Sequence, residues 1–184
     1  MKSNEKIILG IDPGTNVMGY GIIEVKGNSI KLISTGVVKL DKYDSHPLKL
    51  KKIFEKVIGL IDQYKPDELA IEAPFFGKNV QSMLKLGKAQ GVAIAAALSR
   101  DMPIFEYAPK KIKQSITGKG AASKEQVSAM ILKICNVKVV PKYFDATDGL
   151  AAAVCHHFQS NSIISEKKYT GWAAFVKENP KKLK

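Results

Sequence analysis

Arginine is almost missing from this chain: of its 29 Lys and Arg residues, only Arg100 is an arginine. A guanidinium fork is the group that reads guanine edges and clamps a phosphate through two bonds at once. One such group excludes sequence reading through arginine as the main mode of any nucleic-acid recognition. Cysteine is nearly as scarce. Cys135 and Cys155 are the only two, both in segments that read as buried helix, with no C-x-x-C or His/Cys ligand spacing. That excludes a disulfide framework and a thiolate metal site, and both are expected to be reduced core residues. No apolar run reaches the span of a bilayer, and the opening "MKSNEKIILG" is too weakly apolar for a signal peptide. A soluble, cytoplasmic protein is the expectation. There is no internal repeat and no low-complexity block.

What is present begins with lysine. Against 17 Asp and Glu, the cations leave a formal charge of +12 and a pI near 9.6. A polyanionic partner, nucleic acid above all, fits that balance, contacted through single ammonium groups on phosphate. A chain of 184 residues, 45% of them hydrophobic, buries a substantial core and fits one domain.

Three apolar or β-branched runs, 6–12, 17–25 and 30–40, are separated by "PGTN" and "KGNS", both rich in turn formers, and predict a three-stranded antiparallel meander. The period then changes. Residues 46–65 carry Leu48, Leu50, Ile53, Phe54, Val57, Ile58 and Ile61 on one side and lysines on the other, a helix ended by Pro66. A strand at 68–73, a helix at about 80–100 rich in Gly and Ala, a strand at 102–108, and helices at 109–116, 123–135 and about 144–158 follow. The small residues of the second helix suit either flat packing on the sheet or a subunit contact. This order predicts an α/β fold: a five-stranded mixed sheet, three antiparallel strands then two parallel, flanked by helices. Residues 1–160 read as one domain and 161–184 as a basic C-terminal extension. Residues 166–184 hold six Lys and two Glu, a net +4, which leaves +8 on the body.

Acids stand where the strands end. Asp12 closes the first strand, just before a Pro-Gly turn, and Glu72 closes the fourth, inside "LAIEAP", where every neighbour is apolar or proline. If those strands are neighbours, the two carboxylates meet. Asp145 and Asp148, three apart at the start of the last helix, share one face; each alone also suits a helix N-terminus. Four carboxylates converging with no basic partner would repel, raise one another's pKa and cost stability. A divalent cation removes that cost. Hard oxygen ligands suit Mg²⁺ or Mn²⁺, and two such ions can activate a water and stabilise the leaving oxygen of a phosphodiester.

Other motifs compete. "GTNVMG" has the outer spacing of a Walker A loop but lacks the following Lys-Ser/Thr and joins strand to strand. "GIDPGTNVMGYGIIE" resembles the phosphate hairpin of sugar kinases, actin and heat-shock ATPases, although those proteins hold ATP between two such domains and this chain has length for one. His156 and His157, placed at the end of the last helix, point to different faces and are given no catalytic role.

Together "ILGIDPGTNVMGYGIIE", "AIEAPFFGKNVQSMLKLGKAQGVAIAAA", "FEYAPKKIKQSITGKGAASKEQV" and "DATDGLAAAVCH" resemble the RuvC family of bacterial Holliday junction resolvases, over roughly residues 6–160. The resemblance implies an RNase H-like fold, a homodimer, and Mg²⁺-dependent paired nicks across a four-way DNA junction, with two ions per site and Mn²⁺ as a substitute. It implies that Asp12, Glu72, Asp145 and Asp148 are the metal-binding acids, Asp145 standing where some members carry His. It implies that Phe75 is wedged against junction bases, and that Lys113 and Lys124 lie near the scissile phosphate. Lys78, Lys85, Lys110 and Lys119 are further candidates for DNA-backbone contacts. The small-residue helix corresponds to the family's dimer region, and the RuvA–RuvB branch-migration motor is the implied partner. A nucleic-acid-binding module without catalysis, a nuclease for RNA–DNA hybrids and a nucleotide-dependent phosphotransferase or ATPase stay open as alternatives.

Overall fold

A computed structural model describes residues 5–75, 79–137 and 144–165, with backbone alone at 144 and 161–165. Lys78, one of the candidate DNA contacts, lies outside the described residues, as does the chain from 166 onward.

The alternation of buried and exposed residues folds as expected into β1 (Glu5–Asp12), β2 (Val17–Lys26) and β3 (Ser29–Lys39), an antiparallel meander. β4 (Glu68–Glu72) and β5 (Ile104–Tyr107) then add in parallel, giving one five-stranded sheet in the order β3-β2-β1-β4-β5. β1 and β4 are therefore neighbours, which is the condition for their terminal acids to meet. The parallel additions need crossovers, supplied by α1 (His46–Tyr64) and α2 (Val80–Leu98). α3 (Pro109–Thr117), α4 (Lys124–Ile134) and α5 (Phe144–Ser165) complete the chain.

Side chains alternate across the sheet, so each strand feeds two cores. Leu9, Ile11, Leu69 and Ile71 pack against α1 and α2, with Ile53, Val57 and Leu60 from α1 and Ala89, Ala93 and Ala97 from α2. Ile8, Ile23 and Ala70 face the opposite way, against Ile112 of α3, Val127 and Ile131 of α4, and Leu150 to Cys155 of α5. The small residues of α2 split between two faces. Ala89, Ala93, Ala96 and Ala97 are buried against the sheet, while Val80, Leu84, Gly91, Ala95 and Leu98 form an exposed stripe on the other side. Cys135 and Cys155 are free and buried, as expected.

Three details depart from expectation. Leu48 and Phe54 of α1 are exposed, because Ile53, Val57, Leu60 and Ile61 already fill the space over the sheet. The fifth strand is shorter than its apolar run, with Met102 buried beneath α2 ahead of the strand. The last helix does not stop near Phe158. "QSNSIIS" carries it to Ser165, since no Gly or Pro interrupts it, so the helix runs through the 160/161 boundary and His156 and His157 lie in its buried interior. His156 Nε2 lies 2.7 Å from Glu68 Oε2 and its Nδ1 2.6 Å from the Tyr107 hydroxyl, so both ring nitrogens have a hydrogen-bond partner. Lys6 Nζ completes the chain at 2.6 Å from Glu68 Oε1. Burial would raise the Glu68 pKa, but these two bonds hold it below the usual value. The network ties α5 to β4 and β5.

The single arginine is structural: Arg100 Nε and Nη2 donate to the two oxygens of Asp62 (2.9 and 3.1 Å), clipping the end of α2 to α1. Among the described residues no helix is long and apolar enough to cross a membrane.

Candidate active site

The sheet's period of two aims the first pair of acids. Ile11 and Ile71, the last paired residues of β1 and β4, both face α1 and α2, so Asp12 and Glu72, one step on, face the α3–α4–α5 side at the carboxyl ends of adjacent parallel strands. Such strand ends are where open α/β sheets bind ligands. On that side the first turns of α5 present Asp145 and Asp148.

Glycine makes the meeting possible. A Cβ on Gly19 of β2 would collide with the Asp145 carbonyl oxygen, and a Cβ on Gly149 would come within 2.6 Å of the Tyr20 Cα. α5 therefore lies on the β1–β2 hairpin with backbone against backbone. Thr35 of β3 fixes the same junction, its Oγ1 sitting 3.0 Å from the Tyr20 carbonyl oxygen and 2.9 Å from that of Ala146.

As a result Asp12, Asp145 and Asp148 each place one carboxylate oxygen within 4.8 Å of the others. Glu72 stands beside this trio rather than within it, lining a cleft with Asp12, Asp148, Pro109, Lys113 and Lys124. Lys124, expected near the scissile phosphate, gives the acids a basic partner: its Nζ donates to Asp148 Oδ2 at 2.8 Å. Ser123 starts α4 with a reciprocal capping box to Gln126, which sets Lys124 at the helix's first position, pointing into the cleft.

One ammonium does not neutralise the cluster. Burial, then the charges of Asp148 and Asp145, push Asp12 up to about 7 against the pull of Lys124. Burial and then Asp12 and Asp148 push Glu72 up to about 8. The hydrogen bond to Asp148 raises Lys124 above its usual value, with the charges of Asp148, Asp12 and Asp145 adding to it. Near neutral pH Asp12 and Glu72 thus hold protons that a divalent cation would displace. An all-oxygen donor set, spacing within reach of one ion, and excess negative charge fit a hard divalent metal. Asp12, Asp145 and Asp148 would hold it, with Glu72 adjoining.

Phe75 is 71% exposed and lines the mouth of the cleft with Pro13, Gly14, Pro74, Asp145 and Lys124. Lys113 lines the cleft floor. Among the described residues, Lys85, Lys110 and Lys119 do not line the acidic cleft. The charge of Lys85 is felt instead at His46, at the start of α1, whose pKa is lowered by burial and by Lys88, Lys85 and Lys49. Lys110 packs over Gly120, and Lys119 lines a groove on the outer side of α3 and α4 with Gln126 and Met130. Thr35 and the paired role of Lys124 went unread in the sequence. A threonine inside a β-branched strand carries no signal of its own, since its use depends on a helix 111 residues away.

The model of the family described as crossover junction endodeoxyribonuclease RuvC matches residues 8–156. A Cytophaga hutchinsonii protein of that name is 62% identical over 183 residues, covering 100% of this chain and 90% of the relative. A Bacteroides fragilis protein of that name is 58% identical, covering 98% and 97%. Among solved structures, Thermus thermophilus RuvC in complex with Holliday junction substrate superposes with a TM-score of 0.79 at 30% identity, covering 85% of this chain and 96% of that one. The mixed sheet with its flanking helices is thereby an RNase H-like resolvase fold, and this chain belongs to the RuvC family.

Proposed function

We propose that this chain is a crossover junction endodeoxyribonuclease that resolves four-way DNA junctions in recombination and repair. The observation that carries the reading is the convergence of Asp12, Asp145 and Asp148, with Glu72 beside them, in a cleft flanked by Lys113 and Lys124. Family membership supplies the junction as substrate.

The four acids bind two Mg²⁺ per site, with Mn²⁺ as a substitute. Bound there, the ions supply activation of the attacking water and charge neutralisation at the leaving oxygen of an in-line displacement. The chain's own groups do the rest. Lys124 spends one N–H on Asp148 and has two left for a phosphate oxygen, and Lys113 approaches the same space from α3; both stabilise the negative charge that builds on the phosphoryl group. Phe75, exposed on the rim, stacks on a base opened at the junction centre. Lys78, Lys85, Lys110 and Lys119 contact the DNA backbone farther out along the arms, because none of the three described ones lines the acidic cleft.

The exposed apolar stripe of α2 is the homodimer face: Val80, Leu84, Gly91, Ala95 and Leu98 stand three, four or seven residues apart, all on one side of the helix, and Gly91 lets a partner's backbone approach. Two sites then serve two opposing strands. Residues 1–160 carry the nuclease and 161–184 act as a basic extension; the enzyme works in the cytoplasm, with the RuvA–RuvB motor delivering the junction.

The phosphate-loop alternative is disfavoured by one observation. The family model that matches residues 8–156 is that of a junction endonuclease, not of a nucleotide-dependent phosphotransferase. The deciding experiment compares cleavage of a four-way junction, a linear duplex and an RNA–DNA hybrid in Mg²⁺. Paired nicks confined to the junction support the reading; equal cutting of the hybrid, or junction binding without cleavage in either metal, overturns it.

A further inference from the structure

Two lysines line the acidic cleft, and four line a second groove. Between the end of β3 and the β3-facing flank of α1 runs an open groove of about 420 Å³, lined by Lys39, Lys42, Lys52 and Lys56 with one carboxylate, Glu55. Two of these cations are held in place by aromatic rings rather than by acids. Lys42 Nζ lies 5.3 Å from the Tyr43 ring centre and Lys56 Nζ 4.9 Å from that of Tyr20. A ring face orders an ammonium without cancelling its charge, which leaves it available to an anion.

The groove is joined to the acids by a short, rigid link. Asn16 ends the loop that begins at Asp12. Its carbonyl accepts from Leu40 N–H (2.7 Å) and Asp41 N–H (3.1 Å), which fixes the turn carrying Lys39 and Lys42. Its Oδ1 accepts from Lys49 Nζ (3.3 Å). Four residues of extended chain reach at most about 14 Å, roughly four phosphates of one strand. From Lys49 the stripe continues through Lys52 and Lys56, at i, i+3 and i+7 of one helix, about 10 Å along its axis or three phosphates more.

We propose that this β3–α1 groove is a second DNA seat, in which Lys42, Lys52 and Lys56 hold the phosphate backbone of a junction arm after it leaves the acidic cleft past Asn16. The proposal rests on the junction-resolving reading above. Glu55 is the competitor already in place, 2.6 Å from Lys52 and 3.7 Å from Lys51, and a phosphate must displace it.

The test is the salt dependence of binding to a synthetic four-way junction in EDTA, where no cutting occurs. A double variant, Lys42→Ala with Lys56→Ala, is compared with a charge-matched control at the opposite end of the sheet, Lys26→Ala with Lys31→Ala, whose lysines pair with Glu5 and Glu24. The groove variant should bind about tenfold more weakly than the control at moderate salt, and its log–log salt slope should be shallower by about 1.8, two phosphate contacts at 0.9 each. Glu55→Gln should bind more tightly than the unmodified protein, an outcome that a merely helix-stabilising ion pair would not produce. Equal slopes for the two doubles, or no tightening in Glu55→Gln, overturns the assignment. The unmodified protein's cleavage of the same junction is read in parallel: its absence sinks the resolvase reading, whereas normal cleavage with equal slopes sinks only the groove.

Discussion

Single carboxylates decide the chemistry, and their environments say how. Asp12→Asn removes one of three converging oxygens while leaving the lysines untouched, so it should bind a four-way junction and fail to cut it in Mg²⁺, as followed on a denaturing gel. The same acids make the metal-free protein sensitive to pH in an unusual direction. Asp12 and Glu72 have folded values raised to about 7 and about 8, so the fold favours their protonated forms. Their contribution is fully present below the unfolded carboxyl pKa and is lost as pH rises through the folded values. In EDTA the melting temperature should therefore fall between about pH 4 and pH 8, and added Mg²⁺ should restore it at the upper end far more than at the lower. A melting curve in EDTA that is flat over that range would contradict the crowding of charge described here. Phe75 tests a different contact: Phe75→Ala should leave the Mg²⁺-induced melting shift intact and slow junction cutting, since its ring is exposed and supports no core.

At the scale of elements, the decisive contact is α5 on the β1–β2 hairpin. Gly149→Ala would push a methyl into the Tyr20 backbone, costing about 1–3 kcal/mol by overpacking and carrying Asp145 and Asp148 away from Asp12. Urea unfolding should report the first effect and loss of Mg²⁺-induced stabilisation the second. Much of this arrangement is legible in the sequence. Strand alternation, the Pro66 stop and the acids at strand ends specify the sheet, and the glycines of "DPGTNVMGYG" read as close-approach residues once Asp145 and Asp148 are set against them. What escapes is whatever two elements decide together. The polar run after Phe158 carries no sign that α5 persists to Ser165. Phe54 sits within an apolar helix stripe, yet its neighbours close the core without it. Lys110 next to Gly120, and Lys119 in the groove beside α4, are placements made by the packing of α3 and α4 together, which spacing alone does not encode.

For the whole molecule, symmetry is the next requirement. The α2 stripe leaves Val80, Leu84 and Leu98 uncovered on one chain, and a charge there should block pairing: Leu84→Glu is expected to sediment as a monomer and to lose paired nicks while keeping its fold by circular dichroism. Pairing through this face would leave assembly separable from chemistry, because α2 packs by one face on the sheet and offers the other outward. The seam between α5 and the hairpin has a consequence of another kind. Two backbones in contact leave no layer of side chains between them to act as a lubricant, so α5 cannot creep along the sheet or ratchet by a turn. The spacing of the acids is consequently a fixed gauge rather than an adjustable one. Warming will not loosen it by degrees, and the cutting site should persist intact until the entire domain comes apart.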